Sequence, residues 1–147
     1  LSKKIKVKNN IHGALGFYRN PSPESFQVLM KQGLFTSLTD EEIDYISINQ
    51  DIIQKGSLYI DDKDTRVRLG LETDKGEKTN QNILQYEEIV ELVKGNYKAL
   101  EKAINEVEER NILLQFVEVA RELNIDSKSK IKTIEDKVKV KIFDDED

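Results

Sequence analysis

Cysteine is absent from this sequence. That removes disulfides and every thiolate metal site, and it fits a reducing compartment. Histidine occurs once, at His12, so no histidine-based triad and no two-histidine metal site can be assembled within one chain. No apolar run approaches the roughly 18 residues of a membrane-spanning helix, and no signal peptide opens the chain. A soluble protein that stays in the cell that makes it is therefore expected. Phosphate loop, dinucleotide fingerprint, metalloprotease helix and nucleophile elbow are all missing. Proline is scarce too: both prolines, Pro21 and Pro23, fall in one stretch, Asn20-Pro-Ser-Pro-Glu24, which must be a loop.

At 147 residues the chain fits one domain, or a small domain with an appendage. Its net charge of −5 is unevenly spread. Residues 1–20 hold Lys3, Lys4, Lys6, Lys8 and Arg19 without an acid, whereas Asp40, Glu41, Glu42, Asp44, Asp51, Asp61, Asp62 and Asp64 crowd 39–64. The acidic total argues against nonspecific nucleic-acid binding, which needs clustered cations. The lopsidedness suits a charged partner, or head-to-tail contact between copies.

Lys3 to Lys8 alternates, with Ile5 and Val7 on one face and lysines on the other, the period-2 mark of a half-buried strand. After the turn at Asn9-Asn10, Ala14–Tyr18 is expected to return as the second strand of a hairpin. Phe26, Val28 and Met30 alternate, with Leu29 on the other face, which favours a strand; Leu34–Leu38 is another. Thr39-Asp-Glu-Glu42 is a capping box opening a helix to about Ile48. That accounts for Glu41 and Glu42 without catalysis, and Glu42→Gln is expected to cost less than Thr39→Ala. Ser57–Ile60 reads as a strand. Asp61–Asp64 faintly resembles a calcium loop, but Arg66 occupies the position that needs glycine. Arg66–Leu71 alternates and is expected to pair with Ser57–Ile60, a short helix being the other reading. Residues 72–81 are polar, lack an apolar anchor, and read as a mobile boundary.

Three apolar stripes at helical spacing follow: Tyr86, Ile89, Val90, Val93; then Tyr97, Leu100, Ala103, Ile104, Val107; then Ile112, Leu113, Phe116, Val117, Ala120, Leu123. Asn82 and Asn96 are the expected caps of the first two helices, Gly95 the stop between them. Asp126 or Ser127 starts a last helix, and Val138, Val140 and Ile142 alternate as a closing strand would. The expected fold is α+β: a β-rich half at 1–72 built of antiparallel hairpins with one short helix, a three- to four-helix half at 82–142, and an acidic tail at 143–147.

The opening Lys-Ile-Lys-Val-Lys-Asn-Asn, LTDEEID, QYEEIVELVKGNYKALEKAINEV and LNIDSKSKIKTI together resemble a group of small structural proteins of tailed bacteriophages. The chain has Gly95-Asn96 where that group usually shows Gly-Ser, and Glu108-Glu109-Arg110 where it favours Pro-Gly. The resemblance implies a virion component associated with the capsid, by decoration, adaptor or fibre attachment. It would be made in the host cytoplasm and would bind other virion proteins, such as the major capsid protein, or copies of itself. The expectation is a non-enzymatic structural or interaction protein without cofactor, metal, membrane or nucleic-acid partner. Lys3, Ile5, Lys6, Val7 and Lys8 are its candidate partner-binding residues, because a terminal strand with so small an apolar face needs a neighbour on each side. The competing readings are a helical regulatory module and a nucleic-acid module using Lys128, Lys130, Lys132, Lys137, Lys139 and Lys141.

Overall fold

The computed structural model describes residues 3–143; positions 144–147 of the expected acidic tail lie outside them. The fold is α+β, antiparallel strands in the first part and helices in the second. The chain divides into two compact units, Leu1–Ile83 and Leu84–Asp147, each with its own apolar core.

In the first unit, β1 (Lys4–Asn9) is flanked antiparallel by β4 (Phe35–Thr39) and β5 (Leu58–Ile60). The period-2 pattern works as expected: Ile5 and Val7 are buried while Lys4 and Lys6 face outward. The expected partner is corrected. Ala14–Tyr18 does not return onto the first strand; β2 (Leu15–Tyr18) pairs instead with β3 (Phe26–Leu29) in a separate hairpin. The reason lies in Asn9 and Asn10, which are buried hubs rather than a surface turn. The Asn9 amide donates to the carbonyls of Gly13 (2.7 Å) and Leu29 (3.0 Å), and Asn10 donates to those of Ser57 and Gly56. Those bonds carry the chain out of the first sheet before a hairpin can close.

Thr39 caps α1 (Asp40–Asn49) in the expected capping box, its hydroxyl accepting from the Glu42 amide and the Glu42 carboxylate from the Thr39 amide. The expected strand at Arg66–Leu71 is corrected to helix: α2 spans Lys63–Arg68. The Asp62 carboxylate accepts from the Thr65 amide at 3.0 Å, Asp64 lies in the first turn, and Arg66 and Arg68 lie in the last. Capping and helix-dipole chemistry outweigh three alternating apolar residues. Residues 72–80 are tied back to this unit: Glu72 is buried against Arg66 at 2.9 Å, and the amides of Thr79 and Asn80 donate to the Leu71 carbonyl.

The second unit holds α3 (Tyr86–Lys94), α4 (Tyr97–Glu106), α5 (Arg110–Glu122) and α6 (Lys128–Val138). Asn96 caps α4, accepting from Lys98 at 2.7 Å, and Ser127 caps α6. Asn82 does not cap α3. It sits in a 3-10 turn, and Gln85 takes the cap position, its amide donating to the Glu88 carboxylate. Ile89 and Val93, Leu100, Ile104 and Val107, and Ile112, Leu113, Phe116, Val117 and Ala120 form one core, while Leu123 stays exposed. Gln115 and Val119 are buried as well, so α5 is enclosed round most of its circumference. The expected closing strand at 138–142 is also corrected. Val138 ends α6, Lys139 is left-handed at φ 64°, and Ile142 is buried while Arg121 holds the carbonyls of Lys141 and Ile142. Val138 and Ile142 go to the helical core, and no ladder forms there.

Cations from neighbouring helices close several helix ends. Lys130 of α6 donates to the Val93 carbonyl of α3 (2.9 Å) and Lys137 to the Asn105 carbonyl of α4 (3.2 Å), while Arg110 of α5 donates to the Val138 carbonyl of α6. Carbonyls in a final turn have no partner within their own helix, and the helix dipole favours positive charge there.

Candidate functional site

The residues marked in the sequence for partner binding do not form an open edge. β1 is the middle strand of its sheet, in register with β4 from Lys4↔Thr39 to Lys8↔Phe35 and with β5 from Val7↔Ile60 to Asn9↔Leu58. Ile5 and Val7 are core residues. Lys3 pairs with Asp62 (3.3 Å), and Lys6 lies 3.8 Å from Asp61 and 4.4 Å from the centre of the Phe35 ring. Lys8 stands over Tyr59 at 5.3 Å. Both neighbours that the strand needed are supplied within the chain, β4 from Lys4 to Lys8 and β5 from Val7 to Asn9.

The acidic stretch that was to receive the basic strand of another copy is met by this chain's own cations. Arg19 holds Glu42 through two contacts of 2.8 and 3.2 Å, Arg68 reaches Asp40 and Asp44, and Lys55 reaches Asp51. Burial works against the Glu42 charge, but the Arg19 guanidinium and the Thr39 amide hold its carboxyl below the usual glutamate range. Asp62 is likewise held low, mainly by the Thr65 hydroxyl, with help from the Thr65 amide and Lys3. Glu41 is exposed beside this cap, and His12 is exposed in the loop after β1. Among the described residues no group of three or more acids and histidines could hold a metal ion, and no helix is long and apolar enough to cross a membrane. Of the lysines offered to nucleic acid, Lys130 and Lys137 are engaged at helix ends and Lys132 pairs with Asp136.

The surface that stands out is one the sequence reading passed over. On β2 and β3, Leu15, Phe17 and Leu29 point into the core, which turns Gly16, Tyr18, Phe26 and Val28 outward together. Tyr18 is 44% exposed, Phe26 50%, Val28 41% and Met30, the next outward position, 67%. Tyr18 and Phe26 sit opposite each other with ring centroids 4.9 Å apart. The Phe26 ring lies over Gly16, where a Cβ would come within 2.6 Å of its tip. The connecting loop is tightly bonded: the single Ser25 hydroxyl proton is shared between the carbonyls of Asn20 (2.8 Å) and Ser22 (2.7 Å), and the Ser22 amide donates to the Asn20 side chain. At the β2 edge, the Gln50 carboxamide accepts from the Tyr18 amide (3.1 Å) and donates to its carbonyl (2.8 Å). Gln50 also lines an open hollow of about 620 Å³ with Ile48, Ile52 and Gln54.

A contiguous apolar strip on a rigid two-stranded frame does no chemistry by itself, but it suits a contact surface. The signal for it was present. Phe26, Val28 and Met30 alternate against a strand whose other face already holds Leu29, so one apolar face had to be left over. No protein-family model, curated protein or solved structure matches this chain.

Proposed function

We propose that this chain is a non-enzymatic structural or interaction protein that docks through the outer face of the β2–β3 hairpin. The observation that carries the reading is the row of half-exposed Tyr18, Phe26, Val28 and Met30. Side chains of this kind anchor interfaces because they combine large apolar area with few rotatable bonds. The bonded Asn20–Ser25 loop keeps the hairpin in one shape before binding, which lowers the ordering cost. The helical unit is a poorer candidate for docking, since its apolar stripes are largely spent on its own core.

The narrower reading, a capsid-associated virion component, is supported by the sequence resemblance at the β1, α1 and α3–α6 segments. Density-gradient fractionation of an infected or producing culture tests it. The protein is expected to travel with assembled particles, and a Phe26→Thr/Val28→Thr variant of unchanged melting temperature is expected to be released from them. A wild-type protein that stays wholly at the top of the gradient would remove the virion reading. A variant that travels with particles as the wild type does would move the docking surface elsewhere.

A further inference from the structure

We infer that β3 is a docking edge for a second copy of this chain, pairing antiparallel with its own counterpart about Val28. The inference rests on the hairpin as the contact surface and names what covers its edge.

The edges of the first unit are not treated alike. At β2, the Gln50 carboxamide occupies both backbone groups of Tyr18. At β4, Arg19 donates to the Ser37 carbonyl and the Glu42 carboxylate accepts from the Thr39 amide. At β5, the Ile52 carbonyl accepts from the Leu58 amide and Arg66 donates to the Ile60 carbonyl. Backbone groups of the same outward parity are also unmet among the described residues at Gly16 of β2 and Phe35 of β4. β3 differs in that no side chain among the described residues covers any part of its edge. Tyr18 turns its N–H and C=O toward Gln50, whereas Arg19 donates its amide to the Ser25 carbonyl across the hairpin. By antiparallel parity, Phe26 and Val28 therefore direct their backbone groups away from β2. The Phe26 amide turns back to Pro23, but the N–H and C=O of Val28 meet no partner among the described residues.

An open edge is normally blunted with lysine, proline or a bulge. β1 carries lysines although it is not an edge, while residues 25–30, Ser-Phe-Gln-Val-Leu-Met, carry neither charge nor proline. The outward row Phe26, Val28, Met30 is apolar on both sides of its midpoint. Antiparallel pairing about Val28 lets the two Val28 residues exchange both hydrogen bonds and sets Phe26 opposite the second copy's Met30, a favourable sulfur–aromatic contact. No like charges oppose each other. A strip that offers no charge to read and is symmetric about its centre suits a surface that meets itself in a two-fold contact. Such a contact lies at the small end of interface sizes, so it is expected to depend on concentration.

Sedimentation of the purified full-length protein over a concentration series, without particles, tests this. The average mass is expected to climb toward twice that of the monomer, and Val28→Lys to remain monomeric while keeping the wild-type melting temperature. The absence of native cysteine permits a second readout. Paired Val28→Cys residues would sit about 5.5 Å apart between Cα atoms, within disulfide reach. Mild oxidation is expected to link this variant into dimers and to leave Lys102→Cys, at an exposed position on α4, monomeric. A wild type that stays monomeric throughout overturns the inference, and so does a dimer that Val28→Lys does not weaken or Val28→Cys does not link. If such a monomer still travels with particles, the hairpin serves another protein and only the self-pairing is lost.

Discussion

At the scale of single residues, Glu42 does more than its capping box requires. It accepts from the Thr39 amide and also holds Arg19, which itself reaches Gln27 and Ser37. Thr39→Ala is expected to cost about 1 kcal/mol. Glu42→Gln reverses the order expected from sequence. It gives up a charge-assisted pair of about 1.5–3 kcal/mol, at the low end because both groups keep some contact with water. The Glu42 carboxyl is held low in the folded chain. Its contribution is therefore complete above the ordinary glutamate value near ~4.3 and is lost as pH falls through the lowered folded one. Urea unfolding should show a clear gap between wild type and Glu42→Gln at pH 7 that closes in strong acid. Gly56 is the other residue with little room to change. It has φ +80°, and an added Cβ would lie 1.7 Å from the Asn82 carbonyl oxygen. Gly56→Ala should cost at least about 2–3 kcal/mol. Gly13 also has positive φ but has nothing within 4 Å of such a Cβ, so a thermal melt of Gly13→Ala should show the smaller loss.

At the scale of elements, α5 should be the least tolerant. Phe116 is fully buried and Glu118 exposed. Phe116→Ala is expected to cost roughly 3–5 kcal/mol and Glu118→Ala to stay within about 0.5 kcal/mol, as chemical denaturation can measure. Equal losses would contradict the packing described. The helices were legible because their stripes, Asn96 and Ser127 act within a few residues of sequence. The same holds for Thr39 and for the inward placement of Ile5 and Val7. What sequence did not reveal was partnership. Asn9-Asn10 looks like a turn whether it closes a hairpin or buries two amides against Gly13, Leu29 and Gly56. Arg66–Leu71 alternates, yet Asp62 at the cap position settled it as helix. The Val138–Ile142 alternation was the spacing of two core residues on either side of a left-handed Lys139. The proposed site was half visible. Phe26, Val28 and Met30 could be seen as one face, but which face the core would leave uncovered depended on Leu15 and Phe17 from another strand.

At the scale of the whole molecule, β1 holds the first unit together from the middle of its sheet. Removing residues 1–8 strips β4 and β5 of their shared partner and takes Ile5 and Val7 from the core. The truncated protein is expected to lose the amide protection of 35–60 in hydrogen exchange, while the amides of α3–α6, whose core is separate, keep theirs. Native protection across 35–60 in that variant would show the strand to be dispensable. The position of β1 also sets a timetable. As the chain leaves a ribosome, this strand emerges about thirty residues before β4 and about fifty before β5. The β2–β3 hairpin, by contrast, closes over a few residues and forms on its own schedule. The middle of the main sheet is thus made first and finished last. Until β4 and β5 arrive, β1 is an unpaired strand, and its lysines are the residue type that disfavours pairing of such a strand with other chains.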